Sequence, residues 1–128
     1  MKNLTHLIIG VLLTILTLVS VTKIAMAQDV VKVAPEAYKV LLENDRVRVL
    51  EYRLKPGAKE PMHSHPDYIV YALSSVKAKF TLPDGKTIER EIKTGETMFL
   101  EAETHALENV GTTEAHGLII ELKEPQKK

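Results

Sequence analysis

Two histidines separated by a single residue, His63 and His65, are the side chains of this sequence best suited to bind a metal ion. If the chain is extended there, residues two apart face the same side of the strand, so both imidazoles point into the same space. Neutral imidazole is a common ligand of zinc, copper, nickel and iron. Two nitrogens make only half of a stable site, so a third ligand has to come from elsewhere.

His105 is the best donor of that third ligand. It lies about 40 residues downstream, at the start of a predicted strand that follows Gly95 and a short apolar strand. In a closed barrel, residues this far apart in sequence can lie on neighbouring strands and face one interior. The sequence therefore predicts one divalent metal ion on His63, His65 and His105. Three imidazoles do not by themselves select among iron, zinc, nickel, copper and manganese.

The elements that must position these histidines are short strands separated by turns. Turns are expected at Pro56-Gly57 and, as a hairpin, at Pro83-Asp84-Gly85. Residues 35–42 could form a helical turn or begin a strand. No sustained helical period follows residue 28, so the fold class is predicted to be all-β, with seven or eight antiparallel strands closed on themselves. The predicted strands cover residues 46–54, 68–73, 77–82, 87–92, 97–100, 105–110 and 115–122.

The spacing of these residues resembles the two sequence motifs of the cupin superfamily, specifically small single-domain cupins. The resemblance rests on Gly57, His63 and His65 in the first motif and on Gly95, His105 and Asn109 in the second. It covers residues 46–122 and implies a single cupin barrel, also called a double-stranded β-helix or jelly roll. It also implies that the three histidines are metal ligands. Because small cupins commonly pair through an edge strand, it implies a homodimer as well.

One departure from the first motif has a chemical consequence. The glutamate that serves cupins as a fourth ligand is missing, and Tyr68 stands in its place, with Asp67 as the nearest acid. In a regular strand only one of these two side chains faces inward. Three neutral imidazoles leave a divalent ion its full charge, which favours an anionic ligand such as a carboxylate, an enolate or hydroxide.

Two classes of function fit this pattern. Three-histidine cupins include thiol and β-diketone dioxygenases, so the first hypothesis is a metal-dependent oxygenase acting on a small organic molecule. A zinc site that activates water fits the same three ligands. The second hypothesis is a non-catalytic module that binds a metal or a small ligand, including a barrel that has lost its metal. The same ligands serve both classes, so the residues alone leave them open.

Several other side chains have open or structural roles in this interpretation. His116 could point inward from the last strand and assist the site, or lie exposed at its end. Tyr71 and Phe99 are expected in the core or the cavity wall, and Phe80 in packing. Three acids could line the mouth of the site or form solvated surface: Glu101, Glu103 and Glu108.

The N-terminal residues 1–27 predict a secretory signal peptide. Lys2 precedes an apolar run over residues 7–21, which ends near Ala25-Met26-Ala27. The run is shorter than the ~20 residues that cross a bilayer, which favours cleavage after Ala27 over an uncleaved anchor. The mature protein is expected in the periplasm or outside the cell, without stable membrane association. Its predicted parts are an N-terminal extension (28–45), the barrel (46–123) and a frayed tail (124–128).

Composition excludes several classes of function. Without Lys2 and Lys23 of the predicted signal peptide, 15 basic and 17 acidic side chains remain, a net charge of −2. No basic block occurs, so nucleic acid is not an expected partner. The chain has no cysteine. A disulfide framework and a thiol nucleophile are therefore excluded, and the expected partner is a small-molecule ligand or substrate.

Overall fold

The computed structural model describes residues 28–124, which form one short helix and nine strands. The predicted signal peptide (1–27) and residues 125–128 of the predicted tail lie outside the described residues. The elements are α1 (Val30–Val33), β1 (Tyr38–Glu43), β2 (Val47–Leu54), β3 (Lys59–His65), β4 (Tyr68–Ala72), β5 (Val76–Thr81), β6 (Thr87–Ile92), β7 (Thr97–Leu100), β8 (Glu103–Asn109) and β9 (Ala115–Leu122).

The strands form two antiparallel sheets that enclose one interior. The five-stranded sheet has the order β1-β2-β9-β4-β7, and the four-stranded sheet has the order β3-β8-β5-β6. The chain crosses repeatedly from one sheet to the other, so strands distant in sequence become neighbours. In particular, β3 pairs with β8, and β2 and β4 both pair with β9. The prediction of an all-β domain with antiparallel strands is confirmed.

Turns fix where the strands begin. Gly57 follows Pro56 with a φ of 77°, in the left-handed region that glycine adopts without strain. Its N–H donates to the carbonyl of Asn109 at 2.8 Å, which ties the turn before β3 to the end of β8. The hairpin between β5 and β6 turns at Pro83-Asp84-Gly85, as predicted, with Gly85 at a φ of 85°. The first of these turns positions the two strands that carry the histidines.

The segment 28–45 packs as part of the sandwich. The Asp29 side chain accepts from the backbone N–H of Val31 and caps α1, and Val30 is completely buried. Strand β1 pairs with β2 and forms one edge of the five-stranded sheet. Tyr38, the first residue of β1, is 5% exposed and belongs to the main core. The part of the chain that was expected to extend the barrel thus supplies side chains to its interior.

Alternation along β9 shows which side chains face the interior. Ala115, Gly117, Ile119 and Glu121 are buried, and the residues between them are half-buried on the outer face. Ile119 packs in the core with Leu50 of β2 and other apolar side chains. An acid, Glu121, therefore faces the core. Among residues 28–124, no helix has the length and apolar character required to span a membrane.

Candidate metal centre

The structure brings the three predicted ligands together inside the barrel. His63 on β3 is directly opposite His105 on β8, and His65 is two residues further along β3 on the same face. Their side chains are buried, with 1%, 4% and 3% exposure for His63, His65 and His105. One nitrogen from each ring lies within 4.8 Å of the other two. Zinc–nitrogen bonds are about 2.0–2.1 Å long, so nitrogens that share an ion in tetrahedral geometry lie about 3.3–3.4 Å apart. The ring nitrogens therefore need to close by up to about 1.5 Å to hold one.

The outer nitrogens of these rings are held by oxygen atoms. His63 donates from Nδ1 to the Pro61 carbonyl at 2.8 Å, and His65 donates from Nδ1 to Oε1 of Glu121 at 2.8 Å. Nδ1 of His105 lies 3.3 Å from Oε1 of Glu103. A proton held on Nδ1 leaves the lone pair on Nε2, the form in which imidazole binds metals. Among the described residues, Nε2 of His63 is buried without a hydrogen-bond partner.

A chain of charged groups fixes the His65 ring from behind. Glu121 is 2% exposed and receives hydrogen bonds from His65 on one oxygen and from Arg48 on the other, the latter at 2.7 Å. Arg48 also donates to Asp29 at 2.8 Å, just before α1. A carboxylate behind a histidine fixes its tautomer and orientation and raises its basicity. Sequence reasoning missed Glu121. The sequence does carry a signal for it, because Glu121 is an even number of residues from Ala115 and Ile119 and so lies on the same face of the strand.

Tyr68 and Glu103 form a second group beside the histidines. Tyr68 is 3% exposed and stacks on His65, with ring centroids 4.6 Å apart, and its hydroxyl donates to Glu103. Of the two residues near the missing glutamate, Tyr68 therefore faces inward. Asp67 is exposed and accepts a hydrogen bond from the Ala102 N–H on the outside. Glu103, which was placed either at a rim or on the surface, lies between Tyr68 and His105.

Burial keeps His63 and His105 neutral. Desolvation, with a smaller contribution from the neighbouring imidazoles, lowers the pKa of His63 to about 4 and that of His105 to about 3. At neutral pH these rings carry no proton that a metal ion would have to displace. Three buried imidazoles with lone pairs directed at a common space fit a divalent metal. The residues that could hold it are His63, His65 and His105.

A bulge in β3 brings a carboxylate to the same face. Glu60 pairs with Leu107 and His63 pairs with His105, so three steps along β3 match two along β8. This extra residue lets Glu60 and His63, an odd number of positions apart, both face inward. Glu60 is 4% exposed, and Tyr38 and Tyr52 donate to one of its oxygens at 3.3 and 3.4 Å. Its Oε1 has no partner among the described residues. Burial raises the pKa of Glu60 to about 7.

A cavity of about 230 Å³ opens beside the centre. His65, His105, Tyr68 and Glu103 line it together with many apolar side chains. Phe80 lines it as well and meets His105 edge-on, with ring centroids 5.3 Å apart. His65 and His105 therefore face space that a small molecule can enter.

The structure decides between the two roles left open for His116 and contradicts two other sequence-based expectations. His116 lies on the outer face of β9 and bonds Glu51 through Nε2 at 2.9 Å, because its phase alternates with the buried set. Tyr71 is 40% exposed and Phe99 59% exposed, so neither belongs to the core or the cavity wall. Tyr71 pairs with Leu118, one of the outer-facing residues of β9, and Phe99 pairs with Ile69, two residues before Tyr71, so both side chains lie on the outer face of the sheet.

Solved structures with the same architecture decide the fold. A cupin domain from Bordetella pertussis Tohama I matches with a TM-score of 0.63 and 28% identity, covering 68% of this chain and 92% of that one. A protein described as a predicted oxalate decarboxylase from Thermotoga maritima matches at 0.51 and 26%, covering 68% and 79%. An RmlC-like cupin with a double-stranded β-helix fold from Methanocaldococcus jannaschii matches at 0.54 and 16%, covering 70% and 81%. The chain has the cupin fold. No protein-family profile and no curated protein sequence matches it.

Within this barrel, one residue of the second motif has a structural role. Asn109 is completely buried, and its side-chain amide donates to the carbonyls of Leu54 and Thr113 at 2.9 and 2.8 Å. Its Oδ1 accepts from the Gly111 N–H at 3.0 Å. Every polar atom of this side chain is thus used to join loops at one end of the barrel, and none is left for a ligand. The candidate site of this barrel therefore consists of the histidines and the acids and tyrosines around them.

Proposed function

We propose that this cupin binds one divalent metal ion through His63, His65 and His105 and uses it to act on a small organic molecule held in the cavity. An oxygenase is the leading subtype. The observation that carries the proposal is the buried, unpartnered Nε2 of His63, in a group of three imidazoles whose candidate ligand nitrogens lie within 4.8 Å of one another. A buried polar atom without a partner costs about 1–3 kcal/mol. A bound ion would remove that cost.

Held by His63, His65 and His105, a bound ion would supply electrophilic chemistry, either by polarising a substrate oxygen or by lowering the pKa of water. The chain's own residues prepare the surroundings. Glu121 holds the His65 ring, and the stacked Tyr68 covers one side of it. Glu103 is within reach of both the Tyr68 hydroxyl and His105, which suits it to hold a proton beside a bound molecule. The apolar walls exclude water.

The alternative is a non-catalytic module that holds a metal or small ligand. One observation keeps it in consideration. The cavity lining contains histidine, tyrosine, glutamate and arginine but no serine, threonine, lysine or cysteine among the described residues. Turnover would therefore depend on the metal rather than on a side-chain nucleophile. A barrel whose metal does not react would bind its ligand and release it unchanged.

Metal analysis of the purified protein tests the proposed centre. The wild type should retain zinc, iron or a similar ion in stoichiometric amount after gel filtration in the presence of a weak chelator. His63→Ala and His105→Ala should each lower metal affinity by about tenfold or more, since each removes a direct ligand. His116→Ala is the matched control and should load normally, because that ring lies outside the barrel. Equal metal content in all four proteins would overturn the proposal.

Oxygen uptake then separates the enzyme from the module. Iron-loaded protein should consume oxygen with at least one compound in a panel of diketones, thiols and sugars, and His105→Ala should not. If the metal is fully loaded but neither oxygen uptake nor hydrolysis occurs with any compound, the module is the correct interpretation.

A further inference from the structure

The lining of the cavity divides into two parts of different chemistry. The polar part is one connected cluster: His65 stacks on Tyr68, and its ring centroid lies 5.6 Å from that of His105 and 6.3 Å from that of Tyr38. The remaining wall is formed almost entirely by aliphatic and aromatic side chains. Six of these are Val70, Val76, Ala78, Phe80, Leu107 and Ile119.

The polar groups are already largely committed to one another. Tyr38 and Tyr52 donate their hydroxyl protons to Glu60, and Tyr68 donates to Glu103. The remaining charged residue of the lining, Arg90, is half-exposed and pairs with Glu96 at 2.6 Å. Over most of its surface the cavity therefore offers no donor or acceptor to a ligand. A hydroxyl group buried there without a partner would cost several kcal/mol.

The size of the cavity limits the ligand as well. An apolar cavity of about 150 Å³ takes up a benzene ring. The 230 Å³ available here would hold a ring with a short substituent. A sugar of similar size would fit by volume, but its hydroxyl groups would lose their hydrogen bonds to water without replacement. Size and polarity together favour an aromatic or branched aliphatic body.

We infer that the ligand of this site is a compact molecule with an apolar body and a single anionic oxygen group, such as a carboxylate or enolate. The inference rests on the proposed function for the anionic end, because an ion held by three neutral imidazoles keeps its full positive charge. The apolar end rests on the cavity wall alone. The anionic group lies at the histidines, and the body extends along Phe80 and Leu107.

Binding of three matched carboxylates to zinc-loaded protein tests this assignment by calorimetry. 4-Isopropylbenzoate has the apolar body, acetate has only the head group, and gluconate has a polar body of similar size. 4-Isopropylbenzoate should bind at least about tenfold more tightly than the other two, the gain expected from burying two or more methylene equivalents. Equal or tighter binding of gluconate would overturn the inference.

Variants with larger side chains in the apolar wall of the cavity test whether the apolar body of the ligand binds there. Val76→Phe and, independently, Ala78→Leu should remove the preference for 4-isopropylbenzoate but leave zinc content and acetate binding intact. Leu73→Phe introduces the same side chain at an exposed position between β4 and β5, outside the cavity lining, and should change nothing. If both filled variants keep the preference while folded and zinc-loaded, the body binds elsewhere and the inference is wrong.

A neutral probe separates this inference from the metal proposal. 4-Isopropyltoluene carries the same body without a head group, so its binding to metal-free protein depends only on the cavity. If zinc does not load but 4-isopropyltoluene binds and Val76→Phe abolishes that binding, the proposed function fails and the apolar assignment stands. If zinc loads and 4-isopropyltoluene does not bind, the metal proposal stands and the apolar assignment fails.

Discussion

Oε1 of Glu121 lies 2.8 Å from Nδ1 of His65, although 56 residues separate the two in sequence. Glu121 is on β9 in the five-stranded sheet, and His65 is on β3 in the four-stranded sheet. The bond therefore joins the two sheets at the candidate metal centre. It keeps the Nδ1 proton of His65 on the side away from the other imidazoles, and it connects the ring through Arg48 to the start of α1.

Glu121→Gln should weaken metal binding although it touches no metal. A neutral amide makes the His65 ring less basic and no longer fixes its tautomer, and loss of such a partner typically costs about 10–100-fold in affinity. Competition with a chromophoric chelator measures this loss. Glu51→Gln is the matched control, since Glu51 holds His116 in the same way on the outer face. Equal affinities in the two variants would show that Glu121 only supports the fold.

Metal-free protein should lose stability as the pH falls from about 6.5 toward 4. The pKa of His63 is lowered to about 4 and that of His105 to about 3, because burial disfavours their charged forms. The unfolded chain takes up these protons near pH 6.5, whereas the folded chain does so only at lower pH. The free energy of unfolding is therefore highest above pH 6.5 and decreases below it. Urea unfolding at pH 7 and pH 5 measures the difference.

The same experiment with His105→Gln assigns the acid sensitivity. The variant should lose less stability than the wild type between pH 7 and pH 5, because one of the two depressed groups is gone. His116→Gln should behave like the wild type. An identical pH dependence in all three proteins would contradict the assignment to the buried rings.

Glu60 contributes to the pH dependence of stability with the opposite sign. Burial raises its pKa from 4.5 to about 7, with the two tyrosine hydroxyls acting in the other direction. An acid with a raised pKa favours the folded state below pH 4.5, and that contribution is lost as the pH rises through 7. Glu60→Gln removes this loss, since the amide cannot ionise and its oxygen still accepts from Tyr38 and Tyr52. At pH 8 the variant should be more stable than the wild type by up to about 3 kcal/mol.

Comparison at two pH values separates the effect of Glu60 ionisation on stability from any effect of the substitution on packing. The gain from Glu60→Gln should be present at pH 8 and nearly absent at pH 4.5, where the wild-type carboxyl is protonated in the folded state and half protonated in the unfolded state. Glu108→Gln is a suitable control because Glu108 lies on the outer side of β8 beside Lys79. A gain of the same size at both pH values would mean that the pKa of Glu60 is not responsible.

The sequence was sufficient to place the three histidines because they follow regular rules. His63 and His65 share a face by simple alternation, and His105 occupies the position that the second cupin motif provides. Alternation alone left the position of His116 open, because the interior phase of β9 is set by which residues pair with β2 and β4. Register between distant strands is a tertiary property and cannot be deduced from one strand alone.

Glu60 could not have been placed by pattern. The bulge between Glu60 and His63 changes the phase of β3, and nothing in its sequence specifies where the extra residue falls. Tyr71 and Phe99 were misplaced for a different reason. Their aromatic character suggested burial, but apolar atoms make up more than half of most protein surfaces, so an aromatic residue on an outer face is not exceptional.

The homodimer expected for a small cupin should form through β1. This strand lies at the edge of the five-stranded sheet, and three successive apolar side chains are exposed on it: Val40, Leu41 and Leu42, at 40%, 49% and 49%. Exposed edge strands of this kind pair readily with another chain. Light scattering after gel filtration should show a dimer for the wild type and a monomer for Leu41→Lys. Phe99→Lys, on the opposite edge, should remain dimeric, and a monomeric wild type would contradict the prediction.

Export should remove residues 1–27 and leave Gln28 as the first residue of the mature chain. The short basic start, the apolar run and the Ala25-Met26-Ala27 end have the order that signal peptidase requires. Expression in a Gram-negative host followed by periplasmic extraction and mass spectrometry should give a protein that begins at Gln28. Ala27→Phe should block cleavage and leave the full-length chain in the membrane fraction, since only small side chains are accepted next to the cleaved bond. Full-length wild-type protein in the membrane would instead identify residues 1–27 as a retained anchor, and wild-type protein in the cytoplasm would rule out export.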